Sequence, residues 1–333
     1  MRRLASPLLA CALLAAAAPA LGQTARLGPN LEDFAYPLPL RWHAARSQGH
    51  AIRMAYMDVA PTAARNGVTV VLLHGKNFCG ATWGDVAMVL AAHGYRVIVP
   101  DQIGFCKSSK PEGYQYSFDA LAALTHGLLG EAGAGRVVMV GHSTGGMLAI
   151  RYALAYPEAV ARLVLVNPLG LNDTLAEGVP YADLGVLREE EARTDAASIK
   201  AYELKNYYHG QWRPAYDRWV AMLAGEYAGD AGVVRDAQAR LSDMIQTQPV
   251  AAELQRVAVP VSLIIGQLDR TAFRADTAPP PLRPQVRTVP EAAEAALHRF
   301  PDARIVRLQG VGHAPQVEDP AAFDAALLAE IAR

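Results

Sequence analysis

The segment Val137-Val138-Met139-Val140-Gly141-His142-Ser143-Thr144-Gly145 constrains this chain more than any other. An apolar run of strand length stops at a glycine, and a helix-compatible run begins at Thr144. A serine at so tight a strand-to-helix turn projects its oxygen, while the flanking glycines relieve crowding. The helix start also brings backbone N–H groups near any negative charge that develops there. A bare G-x-S-x-G match is weak in a chain with 27 glycines. The strand before it and the helix after it make Ser143 a candidate nucleophile, against the plainer reading of a structural glycine turn.

The rest of the chain repeats the same rhythm. Residues 41–46 and 50–59 read as a hairpin across Gln48-Gly49. Residues 68–73, 95–99, 136–140 and 162–166 read as short strands. Helical spacing covers 82–93, a Ser117-capped stretch to about 129, and 144–156. After Pro168 the alternation breaks. Residues 171–252 hold no convincing core strand, only expected helices at 195–208, 214–226 and 232–246. Between Tyr202 and Tyr227 lie seven of the chain's 13 tyrosines and 4 tryptophans. An inserted helical cap is the expected arrangement, with an ordinary helical layer as the alternative. Strands return at 259–265 and 304–308. Between them come a Pro-rich loop at 278–290 and a helix at 291–300, and a helix at 321–331 closes the chain. The expected fold class is α/β, a mostly parallel eight-stranded sheet flanked by helices. Its core takes residues 41–170 and 253–333, the cap 171–252, and a polar, extended arm 23–40.

Arg2 and Arg3 precede an apolar run over residues 4–20, and Ala20-Leu21-Gly22 offers small residues for a cut before Gln23. That pattern reads as a secretory signal over 1–22, implying a periplasmic or secreted protein. A membrane anchor is the weaker reading because Pro7, Pro19 and many alanines dilute the run. Lipidation at Cys11 fits poorly. Of the three cysteines, Cys79 and Cys106 then remain, in an oxidising compartment. The formal net charge of −1 and the lack of a basic run argue against a nucleic-acid partner. A hydrophobic fraction of 52% is too high for disorder.

A serine alcohol needs a base to take its proton. His313 fits, in Gly310-Val311-Gly312-His313 directly after the last expected strand. His74 is better explained as support for its own His-Gly turn. His142 adjoins the serine, but the turn aims consecutive side chains apart. The acid must hold the imidazole in its useful tautomer. Asp269 follows the strand ending at Ile265, and the order Ser143, Asp269, His313 suits this arrangement. Asp173 is the fallback, lying beyond the strand ending at Val166. The nine histidines show no metal-ligand spacing such as H-E-x-x-H.

Val70-Val71-Leu72-Leu73-His74-Gly75, Asp101-Gln102-Ile103-Gly104, the Ser143 elbow, Gly266-Gln267-Leu268-Asp269 and Gly312-His313 together resemble the alpha/beta-hydrolase superfamily, especially its capped, esterase-like members. The matching pieces span nearly the whole chain after residue 22. The resemblance implies that Ser143, Asp269 and His313 act as nucleophile, acid and base. It implies an oxyanion hole from the N–H groups of Thr144 and Lys76, with Asn77 as the alternative donor, and no metal or organic cofactor. The Lys76 side chain is free to extend into solvent or to attract an acidic substrate. Residues 101–108 look like the loop that supports the pocket floor. Serine at 143 favours carbonyl chemistry, first of all on a carboxylic ester, and the aromatic-rich segment from Tyr202 to Tyr227 suggests a small-to-medium, largely apolar substrate. Lactone, thioester, amide, carbon–carbon bond and perhydrolase chemistries stay open, as does a non-catalytic ligand-binding protein. A lipase reading lacks a distinctive membrane-binding stretch. The family's sheet order makes the strands before Cys79 and Cys106 neighbours, which implies a disulfide, with two free buried thiols as the alternative.

Overall fold

Alternation within short apolar strands decides the architecture. The computed structural model describes residues 24–229 and 231–333, so the expected signal over 1–22 lies outside the described residues. Strands β1 (Leu40–Ser47) and β2 (His50–Val59) form an antiparallel hairpin. Its turn residues Gln48 and Gly49 have φ of 49° and 81°, the twist that two-residue hairpin loops favour. Then β3 (Thr69–Leu73), α1 (Gly84–Ala92), β4 (Arg96–Pro100), α2 (Phe118–Glu131), β5 (Val137–His142), α3 (Thr144–Ala155) and β6 (Val160–Val166) alternate. Four helices follow with no strand between them: α4 (Leu184–Ala192), α5 (Ala196–Asn206), α6 (Asp217–Gly229) and α7 (Ala231–Thr247). The chain closes with β7 (Val261–Gly266), α8 (Val289–Ala296), β8 (Ala303–Leu308), α9 (Pro315–Glu318) and α10 (Pro320–Ile331).

The eight strands form one sheet in the order β1-β2-β4-β3-β5-β6-β7-β8. Only the pairings of β2 are antiparallel. Successive residues of the inner strands feed opposite cores. Val71, Leu73, Met139 and Leu165 pack with Leu121, Leu128 and Ile150 of α2 and α3. Val70, Leu72, Val140 and Val164 pack with Val86 and Leu90 of α1 and Phe323 and Leu327 of α10. Helices on both faces explain why these strands are apolar throughout rather than alternating with polar residues. Ser117 caps α2 as expected, accepting from Ala120 N at 3.1 Å.

Several boundaries differ from the sequence reading. The stretch expected to be helical from 82 opens as a single tight turn, Gly80–Trp83, before α1. Helix α8 begins inside the Pro-rich stretch because Thr288 and Glu291 close a capping box, and it ends at Ala296. Helix α4 was not expected at all. The arm is turned rather than extended: Leu31 is buried, and Leu27 N donates to Gly225 O of α6. A disulfide joins Cys79 to Cys106, tying the loop after β3 to the loop after its neighbour β4. No helix among the described residues is long and apolar enough to cross a membrane.

Candidate active site

The elbow is a place where backbone strain aims a side chain. Ser143 sits between β5 and α3 with φ 55° and ψ −120°, a left-handed conformation costly for a residue with a Cβ. Its amide is held by Val166 O at 3.0 Å, and its carbonyl by Gly146 N at 2.9 Å. Gly145 is required by space, since a Cβ there would stand 2.5 Å from Leu73 O. Strand pairing sets Leu73 beside Gly141, so the loop after β3 lies over the elbow. A Cβ on Gly75 would meet Ser143 Cβ at 2.9 Å.

Asp269 and His313 leave the C-terminal ends of β7 and β8. His313 Nδ1 donates to Asp269 Oδ2 at 2.7 Å, and both side chains are fully buried. Asp269 Oδ1 accepts from Thr271 N at 2.7 Å, so both carboxylate oxygens are engaged. His313 Nε2 is buried and makes no hydrogen bond with the described residues. That is the nitrogen a neighbouring proton donor would use.

The fallback acid Asp173 serves its own turn, accepting from Leu175 N and Ala176 N at 3.1 and 3.2 Å. His74 is structural, as expected: its Nδ1 donates to Gly75 O, and its Nε2 accepts from Gln102 N. Asp101 likewise organises its loop, accepting from Gly80 N and Lys107 N. His142 is engaged elsewhere, and its Nε2 donates to the carbonyl of His313 at 2.8 Å. Burial holds its pKa well below the ordinary value, so it stays neutral and keeps that role.

Other residues of the site escaped the sequence reading. Asn167 has φ 41°, and its Nδ2 donates to the carbonyls of Gly312 and His313, each at 2.8 Å. Its Oδ1 accepts from Gly266 N at 2.8 Å. One amide side chain thus joins the ends of β6, β7 and the His313 loop. An asparagine at a strand end was the available signal, because asparagine tolerates left-handed backbone. Tyr207, just beyond α5, stacks its ring on His313 with centroids 4.3 Å apart. Its carbonyl accepts from His313 N at 2.9 Å. It belongs to the aromatic-rich segment from Tyr202 to Tyr227, but nothing local singles it out there.

Thr144 opens α3, so its N–H has no acceptor within the helix. Lys76 and Asn77 form the middle of a turn closed by Phe78 N to Gly75 O at 3.2 Å. The Lys76 side chain follows neither expectation made for it. Its Nζ donates to Glu191 Oε1 of α4 at 2.9 Å, and Glu191 also accepts from Tyr227 and Ser242. Asn77 Nδ2 donates to Tyr207 Oη at 3.0 Å. Lys76, Asn77 and Ser143 face a cavity of about 550 Å³ that Leu169, Ile199, Leu223, Tyr227, Ile245 and Phe273 also line. Such a volume suits a small organic molecule. Among the described residues, the grouping with metal-ligand proximity is Cys79, Asp101 and Cys106. Its two sulfurs are bonded to each other, which leaves no thiolate donors.

The chain belongs to the alpha/beta hydrolase family, whose model spans residues 70–326. It is similar to a probable hydrolytic enzyme of known structure from Pseudomonas aeruginosa. Identity is 47% and the TM-score 0.90, covering 92% of this chain and 98% of that one. Lipase 1 of Psychrobacter immobilis is 25% identical over 270 residues, 80% of this chain and 76% of that protein. The 2-hydroxy-6-oxo-2,4-heptadienoate hydrolase of Pseudomonas putida is 36% identical over 116 residues, 34% of this chain and 42% of that protein.

Proposed function

We propose that this protein is a serine hydrolase that cleaves carboxylic esters through an acyl-enzyme. The observation that carries this reading is the buried Asp269–His313 hydrogen bond, with the His313 backbone tied to the elbow through His142 Nε2. His313 Nε2 takes the Ser143 proton as Oγ attacks the substrate carbonyl. Asp269 fixes the Nδ1–H tautomer and stabilises the imidazolium that forms. The oxyanion receives the N–H groups of Thr144 and Lys76, with Asn77 as the alternative to Lys76. His313 returns its proton to the leaving alcohol, then activates the water that frees Ser143.

Residues 171–252 act as the cap that gives the acyl or alcohol group an apolar wall. The sequence signal at 1–22 and the bonded cysteine pair support action in the periplasm or outside the cell. Carbon–carbon bond hydrolysis is the second reading, favoured by the partial likeness to the heptadienoate hydrolase.

A fluorophosphonate probe should label the native protein and leave Ser143→Ala unlabelled. The variant should stay folded and lose several powers of ten in ester turnover. Retained turnover would remove Ser143 from the mechanism. Robust cleavage of a vinylogous diketone without ester hydrolysis would replace the ester reading with the carbon–carbon one.

A further inference from the structure

The charges lining the cavity leave one cation without a carboxylate partner among the described residues. Four basic side chains line it, Lys76, Lys205, Arg270 and Arg274, against three acidic ones, Glu190, Glu191 and Asp276. Each acid is taken. Lys76 pairs with Glu191, Lys205 with Asp276 and Arg274 with Glu190. No carboxylate among the described residues pairs with Arg270. Asp269, next to it in the chain, is already committed through both oxygens to His313 and Thr271.

The position of Arg270 is fixed although its side chain is exposed. Its amide donates to Asn206 O at the end of α5, at 3.0 Å, so its backbone is held where the helical insertion meets the strand ends. Arg270 lines the cavity together with Tyr202, Tyr207 and Phe273. A cation beside low-dielectric aromatic walls attracts anions more strongly than it would on an open surface. Arginine adds a planar fork that matches a carboxylate.

We infer that the substrate is an amphipathic carbonyl compound carrying a carboxylate on an apolar body, and that Arg270 recognises that carboxylate. The apolar body lies along the aromatic wall, the scissile carbonyl reaches Ser143, and the acid group stays near the rim. This inference rests on the ester-hydrolase reading for the carbonyl, while the anion site is testable without turnover.

Calorimetry with phenylhexanoate and its neutral amide, phenylhexanamide, tests the site by binding alone. The native protein should prefer the acid by about fivefold at low salt, the scale of a partly exposed charge pair, and less at high salt. Arg270→Gln should abolish the preference, and Arg270→Lys should retain part of it. Equal affinities, no measurable binding of the acid, or an unchanged preference in Arg270→Gln each overturn the inference. Turnover of monoethyl suberate against diethyl suberate separates the two levels. A preference for the monoester that vanishes in Arg270→Gln supports both. Neutral-ester turnover with no acid preference in turnover or binding overturns the anion site alone. Acid binding without turnover of either ester leaves the anion site standing and overturns the ester reading.

Discussion

The strand-end region around Ser143 and the four-helix region between β6 and β7 solve the burial of polar groups in opposite ways. At the strand ends, His142 and Asn167 spend their hydrogen bonds on backbone atoms of the loops they join. In the helices, Glu191 gathers side chains from three other segments. Glu203 is buried on α5 with neither carboxylate oxygen hydrogen-bonded to the described residues. Bonds from His142 Nε2 and from both ends of the Asn167 amide to the main chain tie the first region together, although His142 Nδ1 has no hydrogen bond with the described residues. The second depends on side-chain pairs and on one carboxyl kept uncharged by desolvation, so pH and single substitutions should reach it more easily.

The sharpest way to break this comparison is at Asp269. Asp269→Asn should cut ester turnover by about three to four powers of ten, because the imidazole loses its fixed tautomer. Asp173→Asn should stay within a few-fold of native, since Asp173 only closes its own turn. Steady-state rates for the two variants decide the matter. If only the Asp173 change abolished turnover, the acid would belong to the earlier strand.

The next effect is on stability. Burial raises the Glu203 carboxyl from 4.5 to about 8. The folded chain therefore keeps a proton that the unfolded chain releases above pH 4.5. Whatever stability this proton retention lends is present at low pH and is lost as pH rises through that window, with a slope of about 1.4 kcal/mol per pH unit. Glu203→Gln should flatten that slope. Urea unfolding of both proteins across the window measures it, and parallel curves would show that Glu203 does not titrate in this way.

A smaller effect is expected at Glu191. Glu191→Gln keeps an acceptor but removes the charge opposite Lys76. It should lower stability by about 1–2 kcal/mol and kcat by up to about tenfold, with KM changed less. Thermal unfolding and initial rates measure the two. An unchanged kcat would separate the Lys76 loop from the helices that hold its side chain.

The same contrast explains what could be read from the residues alone. Strand runs such as 68–73 and 136–140 declare themselves by apolar content, and the elbow by its glycines, so sheet, helical insertion and the approach of Asp269 to His313 were all legible. Helix α4 was not. Its Glu189-Glu190-Glu191 run interrupts any apolar pattern, and its place is set by Leu187 packing on Ala239 of α7 and by ion pairs with Lys76 and Arg274, which no local pattern displays. The contact of Tyr207 with His313 was hidden for the same reason, since the stacking joins segments 106 residues apart in sequence. Asn167 lay between: asparagine tolerates the positive φ it adopts, but its three backbone partners depend on strands that meet only in the fold.

The bond from His313 N to Tyr207 O gives the molecule a built-in reporter. An amide exchanges its hydrogen with solvent only when its acceptor is released. For His313 that acceptor belongs to the segment just after α5, not to the sheet. Deuterium uptake at this one amide therefore counts the openings that part the helical insertion from the strand ends. The neighbouring amides of β8 count only openings of the sheet itself. The ratio of the two uptake rates would be a clock for how often the cavity gains a path to bulk water.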